Sequence, residues 1–238
     1  MQYTLLDYVR SRRFFILLTI VLAISAILMV VVANSTLSIY FVWGAFAPVM
    51  AIFAGVFFGG DAISGEFQNK TGYFSIPNPI RRSTVYVGKW LSAFAASSIM
   101  LAVFTVITLG IGLYYRSIPS EFGLSLLFVW FFLAAVIGFV FFFSSLFKSS
   151  TNSVFLNATL LLVTFTAIVN LAGLIPIEPG NILTVPYPPH ETAGVSLGKG
   201  LYGTTYYTTV PEGLAIIGLY FVITTVLGLL VFERKEFT

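Results

Sequence analysis

The chain has 238 residues, of which 58% are hydrophobic and 9% charged, with 25 Phe, no Cys and a net charge of +3. Soluble domains carry roughly 25% charged residues, so this composition excludes an ordinary water-soluble globule and makes lipid the expected solvent. The missing Cys excludes disulfides and thiolate metal sites, and the small positive charge follows from membrane topology without nucleic acid as a partner.

The first residues read as a short interfacial helix, with Tyr3, Leu6, Val9 and Phe14 on the membrane surface and Arg10, Arg12 and Arg13 toward anionic headgroups. SRRFFIL also has the look of a twin-arginine export signal. The apolar run behind it is 20 residues long, however, beyond the roughly 7 to 15 of a signal core, and further runs follow, so it reads as a retained span. Crossing a hydrocarbon core of about 30 Å takes ~20 apolar residues. Uncharged runs of that order occupy residues 14–33, 40–58, 90–114, 124–147, 154–175 and 214–232. They are continuous and lack the alternation of barrel strands, which predicts an all-α polytopic membrane protein with six transmembrane helices in a single domain over 1–238. Within the second run, Pro48 predicts a kink and the Gly55/Gly59 spacing predicts close helix packing.

Three connections are short (34–39, 115–123 and 148–153), which makes the spans on either side antiparallel neighbours. Two are long. The loop 176–213 holds six of the ten prolines and cannot be one helix; Tyr202, Tyr206 and Tyr207 assign it to the outer membrane surface. Its Gly194-Val195-Ser196-Leu197-Gly198 matches a nucleophile elbow, and His190 lies nearby, but an elbow needs a strand, a helix and a supporting sheet, so the match reads as a turn. Ten of the twelve Lys and Arg fall on the side of the termini and two opposite, which predicts cytoplasmic termini in a multi-pass plasma-membrane protein.

No ionisable residue lies within the runs. Asn152, Thr159, Thr166 and Asn170 recur at helical spacing within about 40° of one line. Such a stripe either lines a substrate path or joins helices by hydrogen bonds, and both readings stand at this point.

Charge concentrates in the other long loop, 59–89, whose sequence continues into the third run as GGDAISGEFQNKTGYFSIPNPIRRSTVYVGKW. A helix here sets Ile63, Phe67 and Phe74 on one face and directs Asp61, Glu66 and Gln68 elsewhere. Ser64 caps it, Glu66 suits its positive end, and Pro77 and Pro79 stop it. The basic cluster Arg81, Arg82 and Lys89 then leads into the third span.

ISGEFQNKT followed by PNPIRRSTVYVGKWLSAF resembles the cytoplasmic signature of type-two ABC-transporter permeases. The matching residues are Gly65 and Glu66, Asn69 and Thr71, Pro79, Ile80 and Arg82, and Gly88 and Lys89, and the six-span layout with a long external loop before the last span agrees. The resemblance implies the membrane subunit of an ABC exporter, paired with separate ATPase subunits and with a second permease chain, identical or related. It implies a coupling segment comprising Asp61, Ile63, Ser64, Gly65, Glu66, Phe67, Asn69, Lys70, Thr71, Pro79, Arg81, Arg82 and Lys89. In that segment Ile63 and Phe67 make apolar contact with the ATPase, and Glu66 and Arg82 set the charged register. No GxxxxGK[ST] phosphate loop occurs, since Lys70 follows Asn69 and Lys148 follows Phe147. The chain is therefore expected to be a transport subunit with no cofactor of its own and no catalysis, ATP and Mg²⁺ belonging to the partner. A secondary transporter or channel is the alternative; it would need inverted repeats, and the sequence has no internal repeat.

The basic-residue asymmetry makes a prediction about orientation. In sealed cells, tags at both termini should resist external protease while a tag inserted near Gly198 is cleaved; cleavage of the terminal tags reverses the topology.

Overall fold

Uncharged runs in lipid have to satisfy every backbone N–H and C=O within the segment, which selects helix. Every element of the computed structural model is helical. It describes residues 10–34, 39–68, 82–115, 122–164 and 210–235. In order these form α1 (Arg12–Asn34), α2 (Ile39–Gly59), α3 (Ser64–Gln68), α4 (Arg82–Tyr114), α5 (Phe122–Leu146), α6 (Ser150–Ala158), a π-helical continuation (Thr159–Thr164), and α7 (Val210–Arg234). Five helices, α1, α2, α4, α5 and α7, contain windows long and apolar enough to cross a bilayer, and Ser150–Val163 forms a shorter apolar helix. The all-α polytopic architecture expected from the sequence is thus present. The interfacial stretch 1–9 and the long loop with His190 and Ser196 lie outside the described residues, as do Asn69, Lys70, Thr71, Phe74, Pro79, Arg81, Thr166 and Asn170.

Two boundaries differ from the sequence reading. The third long helix begins at Arg82, not Trp90, and its 33 residues make a rod of about 50 Å at 1.5 Å per residue, longer than a hydrocarbon core of about 30 Å. Charge marks where lipid ends, and a helix with Arg and Lys in its first turns continues past that point. Likewise 148–153 is not all connection, because α6 starts at Ser150.

Helices α2, α4 and α5 carry most of the core. Ala47, Ala51 and Ala54 on α2, Ala93, Ala96 and Ser97 on α4, and Leu133, Ile137 and Val140 on α5 are all buried. Small side chains let backbones approach where lipid offers no hydrophobic drive for association. A Cβ added at Gly55 would stand 2.7 Å from Val136 Cγ1, and one at Gly59 3.1 Å from Val140 Cγ1, so both glycines form a close seam with α5. Hydrogen bonds tie the same helices: Trp43 Nε1 donates to Ser125 Oγ (2.9 Å) and Ser97 Oγ to the Ala54 carbonyl (3.1 Å). Helix α1 buries one stripe, Leu17, Val21 and Leu28, and exposes Phe15, Ile16, Ile27 and Val30. It is peripheral.

Helix α7 packs on α5 through a reciprocal pair of glycines. A Cβ at Gly138 would meet Thr225 Oγ1 at 2.8 Å, and one at Gly228 would run into the Tyr86 hydroxyl and lie 3.1 Å from Phe142 Cα. The Phe14 ring lies 6.2 Å from that of Phe58, which brings the start of α1 beside the end of α2. Lys89 reaches the Ala62 carbonyl and Lys235 the end of α5, so the charged segments gather at one end of the bundle.

Gly228→Ala should lower the thermal midpoint of the purified protein in detergent, with a loss of about 1–3 kcal/mol from overpacking. Gly218, whose Cβ position is open, should gain about 0.5–1 kcal/mol as Ala from helix propensity. Equal midpoints for the two variants would contradict the close α5–α7 seam.

Candidate functional site

The chain leaves α2 through Gly59 and Gly60. The Gly60 amide donates to the Val56 carbonyl (2.9 Å), and its own carbonyl accepts the Ser153 hydroxyl from α6. A Cβ there would lie 2.5 Å from the Val56 oxygen and 2.9 Å from Val154 Cγ2, so only glycine lets the turn sit this close to two helices. Asp61, Ala62 and Ile63 turn the chain into α3, closed by Gly65 N–H to the Asp61 carbonyl (2.8 Å) and Glu66 N–H to that of Ile63 (3.1 Å). A helix start leaves amides without intrahelical acceptors. Here the Ile63 and Ser64 amides both donate to Ser144 Oγ on α5 (3.2 and 3.0 Å), and the Ser144 hydroxyl donates to Ser64 Oγ (3.3 Å). The cap therefore comes from another helix; Ser64, expected to supply it, is the first residue of α3 and fully buried.

Charge completes the docking. Lys89, two turns into α4, pairs with the Glu66 carboxylate and donates to the Ala62 carbonyl at 2.8 Å. The two side chains are only 18% and 22% exposed, which gives the pair more weight than a solvated surface bridge. Phe67 packs against the core and lies edge-on to Phe232 of α7, centroids 6.1 Å apart. Beyond it, Gln68 Oε1 accepts the Ser150 amide (2.7 Å) at the start of α6, where the N-cap Ser149 offers no side-chain bond.

The opposite helix ends are treated the same way. Lys235 Nζ donates to the carbonyls of Ser145, Leu146 and Phe147 (2.9, 2.9 and 3.2 Å), where α5 stops, and lies 4.3 Å from the Phe67 ring centroid. Arg82 Nη1 donates to the carbonyls of Glu233 (3.1 Å) and Lys235 (2.9 Å), where α7 stops. Cations at helix C-termini meet both the unpaired carbonyls and the negative dipole end. Burial lowers the pKa of the Lys235 ammonium, and repulsion from Lys148 lowers it further.

The site thus brings together Asp61, Gly65, Glu66, Phe67, Arg82 and Lys89 from the residues read in the sequence. Ile63 needs correction: assigned to contact with a partner, it is 0% exposed and lies in the chain's own core, at the point where its amide donates to Ser144 of α5. Lys89 faces inward as a brace. Among the described residues at this end of the bundle, Gln68, Arg82, Thr84, Lys148, Thr151 and Asn152 are exposed.

Of the Asn/Thr stripe, Asn152 is exposed in the first turn of α6, and the Thr159 hydroxyl donates to the Phe155 carbonyl of its own helix (2.9 Å). The residue that joins helices lies between them on another face of α6. Buried Asn157 donates from Nδ2 to the carbonyls of Val140 on α5 (3.4 Å) and Ser153 (2.9 Å). Sequence reasoning missed Ser144, Ser153 and Asn157, which nothing in an apolar run singles out, and treated Lys235 as a topological charge. What the arrangement can do is mechanical: force applied to α3 reaches α4, α5, α6 and α7 through named bonds.

A family model described as ABC-2 family transporter protein matches residues 42–237, from the second helix to past the end of the last, and so takes in the whole docked segment. No curated protein matches the sequence. A match over most of the chain, on a bundle of membrane-length helices, establishes that the chain belongs to the ABC-2 transporter family and is a membrane permease.

Proposed function

We propose that this permease is the membrane half of an ATP-driven exporter and receives its energy through α3 from separate ATPase subunits that carry ATP and Mg²⁺. Two permease chains, identical or related, surround the route, with the end bearing Glu66 and Lys235 in the cytoplasm of a plasma-membrane assembly. One observation carries the reading. The short helix that begins at Ser64 is clamped through Ser144, Lys89 and Gln68 to three other helices, α5, α4 and α6, so it can pass on a displacement that a loose loop would absorb.

The partner meets the exposed rim of this segment: Gln68 and Arg82, with the uncovered edges of Glu66 and Phe67. The apolar contact first given to Ile63 falls to Phe67 alone. Asn69, Lys70, Thr71, Pro79 and Arg81 lie outside the described residues and stay in the proposed coupling segment on the strength of the family resemblance. The route for substrate includes Asn152, Thr159, Thr166 and Asn170 as candidates, since they recur at helical spacing in the sequence; the described part of this stretch runs into a π-helical turn at Thr159–Thr164, and such turns are frequent at functional sites.

The tests separate brace from contact. Lys89→Met should leave insertion intact yet weaken ATPase recruitment or uncouple hydrolysis, because it strips Glu66 and the Ala62 carbonyl of a charged partner, a loss of about 1–3 kcal/mol. Phe67→Ala should weaken recruitment through roughly 1.5–3 kcal/mol of lost apolar burial, whereas Ser196→Ala should change neither. The readouts are co-purification of the ATPase and nucleotide hydrolysis by the complex; wild-type behaviour of Lys89→Met and Phe67→Ala in both would sink the coupling role.

The purified chain alone should hydrolyse no ATP. Hydrolysis that persists after contaminating ATPases are removed, or transport by the chain without an ATPase, would overturn the subunit assignment.

A further inference from the structure

Lys235 does more than mark a membrane side. A lysine kept only for topology extends its stem and leaves its ammonium in water. This one turns inward: Nζ donates to three carbonyls at the end of α5, between 2.9 and 3.2 Å, and stands 4.3 Å from the Phe67 ring centroid in α3. Its own carbonyl accepts from Arg82 at the start of α4 (2.9 Å), and that of Glu233 does the same (3.1 Å). A single residue at the end of α7 thereby meets three other helices.

Ser144 holds the first turn of α3 to α5, Glu66 pairs with Lys89 of α4, and Gln68 accepts an amide of α6. Its contact with the end of α7 runs through Phe67, which meets Lys235 and Phe232 near the last residue of this five-residue helix. A helix this short moves with each element it is tied to, and this contact adds the last span. Building on the ATPase-driven reading above, we infer that Lys235, fixed by Arg82, is the positioning residue that locks α3 to the end of α7, so that displacement of α3 carries the last span with it. A push on the rim at Gln68 and Arg82 is then delivered to the ends of α5 and α7 together.

The absence of Cys allows a direct test with spin labels at introduced cysteines, Ile16→Cys on peripheral α1 and Leu230→Cys on α7, both exposed positions. The complex that the tagged chain brings from its native membranes is reconstituted in lipid nanodiscs, and the inter-label distance distribution is recorded without nucleotide and with ATP plus vanadate. Wild type should shift between two populations. In Lys235→Met the ATPase should stay bound and active while the nucleotide-dependent population ratio falls about fivefold or more, the low end of ordinary coupling between sites. Lys235→Arg should restore the shift, since a guanidinium can donate to the same carbonyls and lie over the same ring. Should Lys235→Met fail to accumulate, Lys235→Gln, whose neutral amide cannot serve three carbonyls and a ring face together, should show the same loss.

A full shift in either Lys235→Met or Lys235→Gln, no shift in a wild-type complex that turns over ATP, or failure of Lys235→Arg to restore it overturns the latch. Absence of any ATPase from the wild-type complex overturns the ATPase-driven reading instead, before a distance is measured.

Discussion

Helix ends that meet inside a bundle bring unpaired amides and carbonyls with them, and at one end of this permease each such end is served by a side chain from a different helix. Ser144 of α5 takes the amides that open α3, Gln68 of α3 takes an amide that opens α6, Lys235 after α7 takes carbonyls that close α5, and Arg82 of α4 takes carbonyls that close α7. The contacts run in a series from α4 to α7, α5, α3 and α6. Where such a bond is buried, as between Ser144 and the α3 amides, losing it leaves a polar group unmet at a cost of about 1–3 kcal/mol. Against a total stability of order 5–15 kcal/mol for an ordinary domain, a handful of such bonds is enough to make the end of the bundle behave as one piece.

The spans are held by other means. With lipid outside as apolar as the side chains within, association rests on close packing, and Gly55, Gly59, Gly138 and Gly228 give α5 a glycine seam on each side, against α2 and against α7. Few directional bonds cross the middle of the bundle among the described residues, Trp43 to Ser125 and Ser97 to Ala54 being two. A steric seam tolerates small changes of tilt that a network of charged hydrogen bonds does not. Physical chemistry therefore divides the molecule into a stiff polar end and a shape-packed interior.

How much of this was legible in the sequence follows from which forces act locally. Five spans could be found because hydrocarbon thickness imposes a length on uncharged runs whatever the tertiary fold. The start of α4 could not be found that way: charge reports the edge of the lipid, and Arg82 to Lys89 are helical on the polar side of it. Amphipathic spacing located α3 but could not say which molecule covers its apolar face, and so assigned Ile63 to a partner when the chain's own core encloses it beside Ser144 of α5. The stripe at Asn152 and Thr159 followed ideal helical geometry, whereas the buried amide is Asn157. Ser144 lies in an uninterrupted apolar run, and only the approach of α3 gives its hydroxyl a task.

Glu66 and Lys89, two of the residues that carry the family resemblance, spend their charges on each other across a gap of more than twenty positions in sequence. Their spacing therefore encodes an internal brace that fixes α3 against α4, and a surface able to discriminate one partner from another has to be built from its exposed neighbours. Partner choice at a polar rim is set by charge placement and water-exposed contacts, which can change at Gln68, Arg82 or Thr84 without disturbing the pair beneath. On the proposed ATPase-driven reading, separating the part that holds from the part that recognises would let the same docked helix serve different partners while its ties to α4, α5 and α6 stay the same.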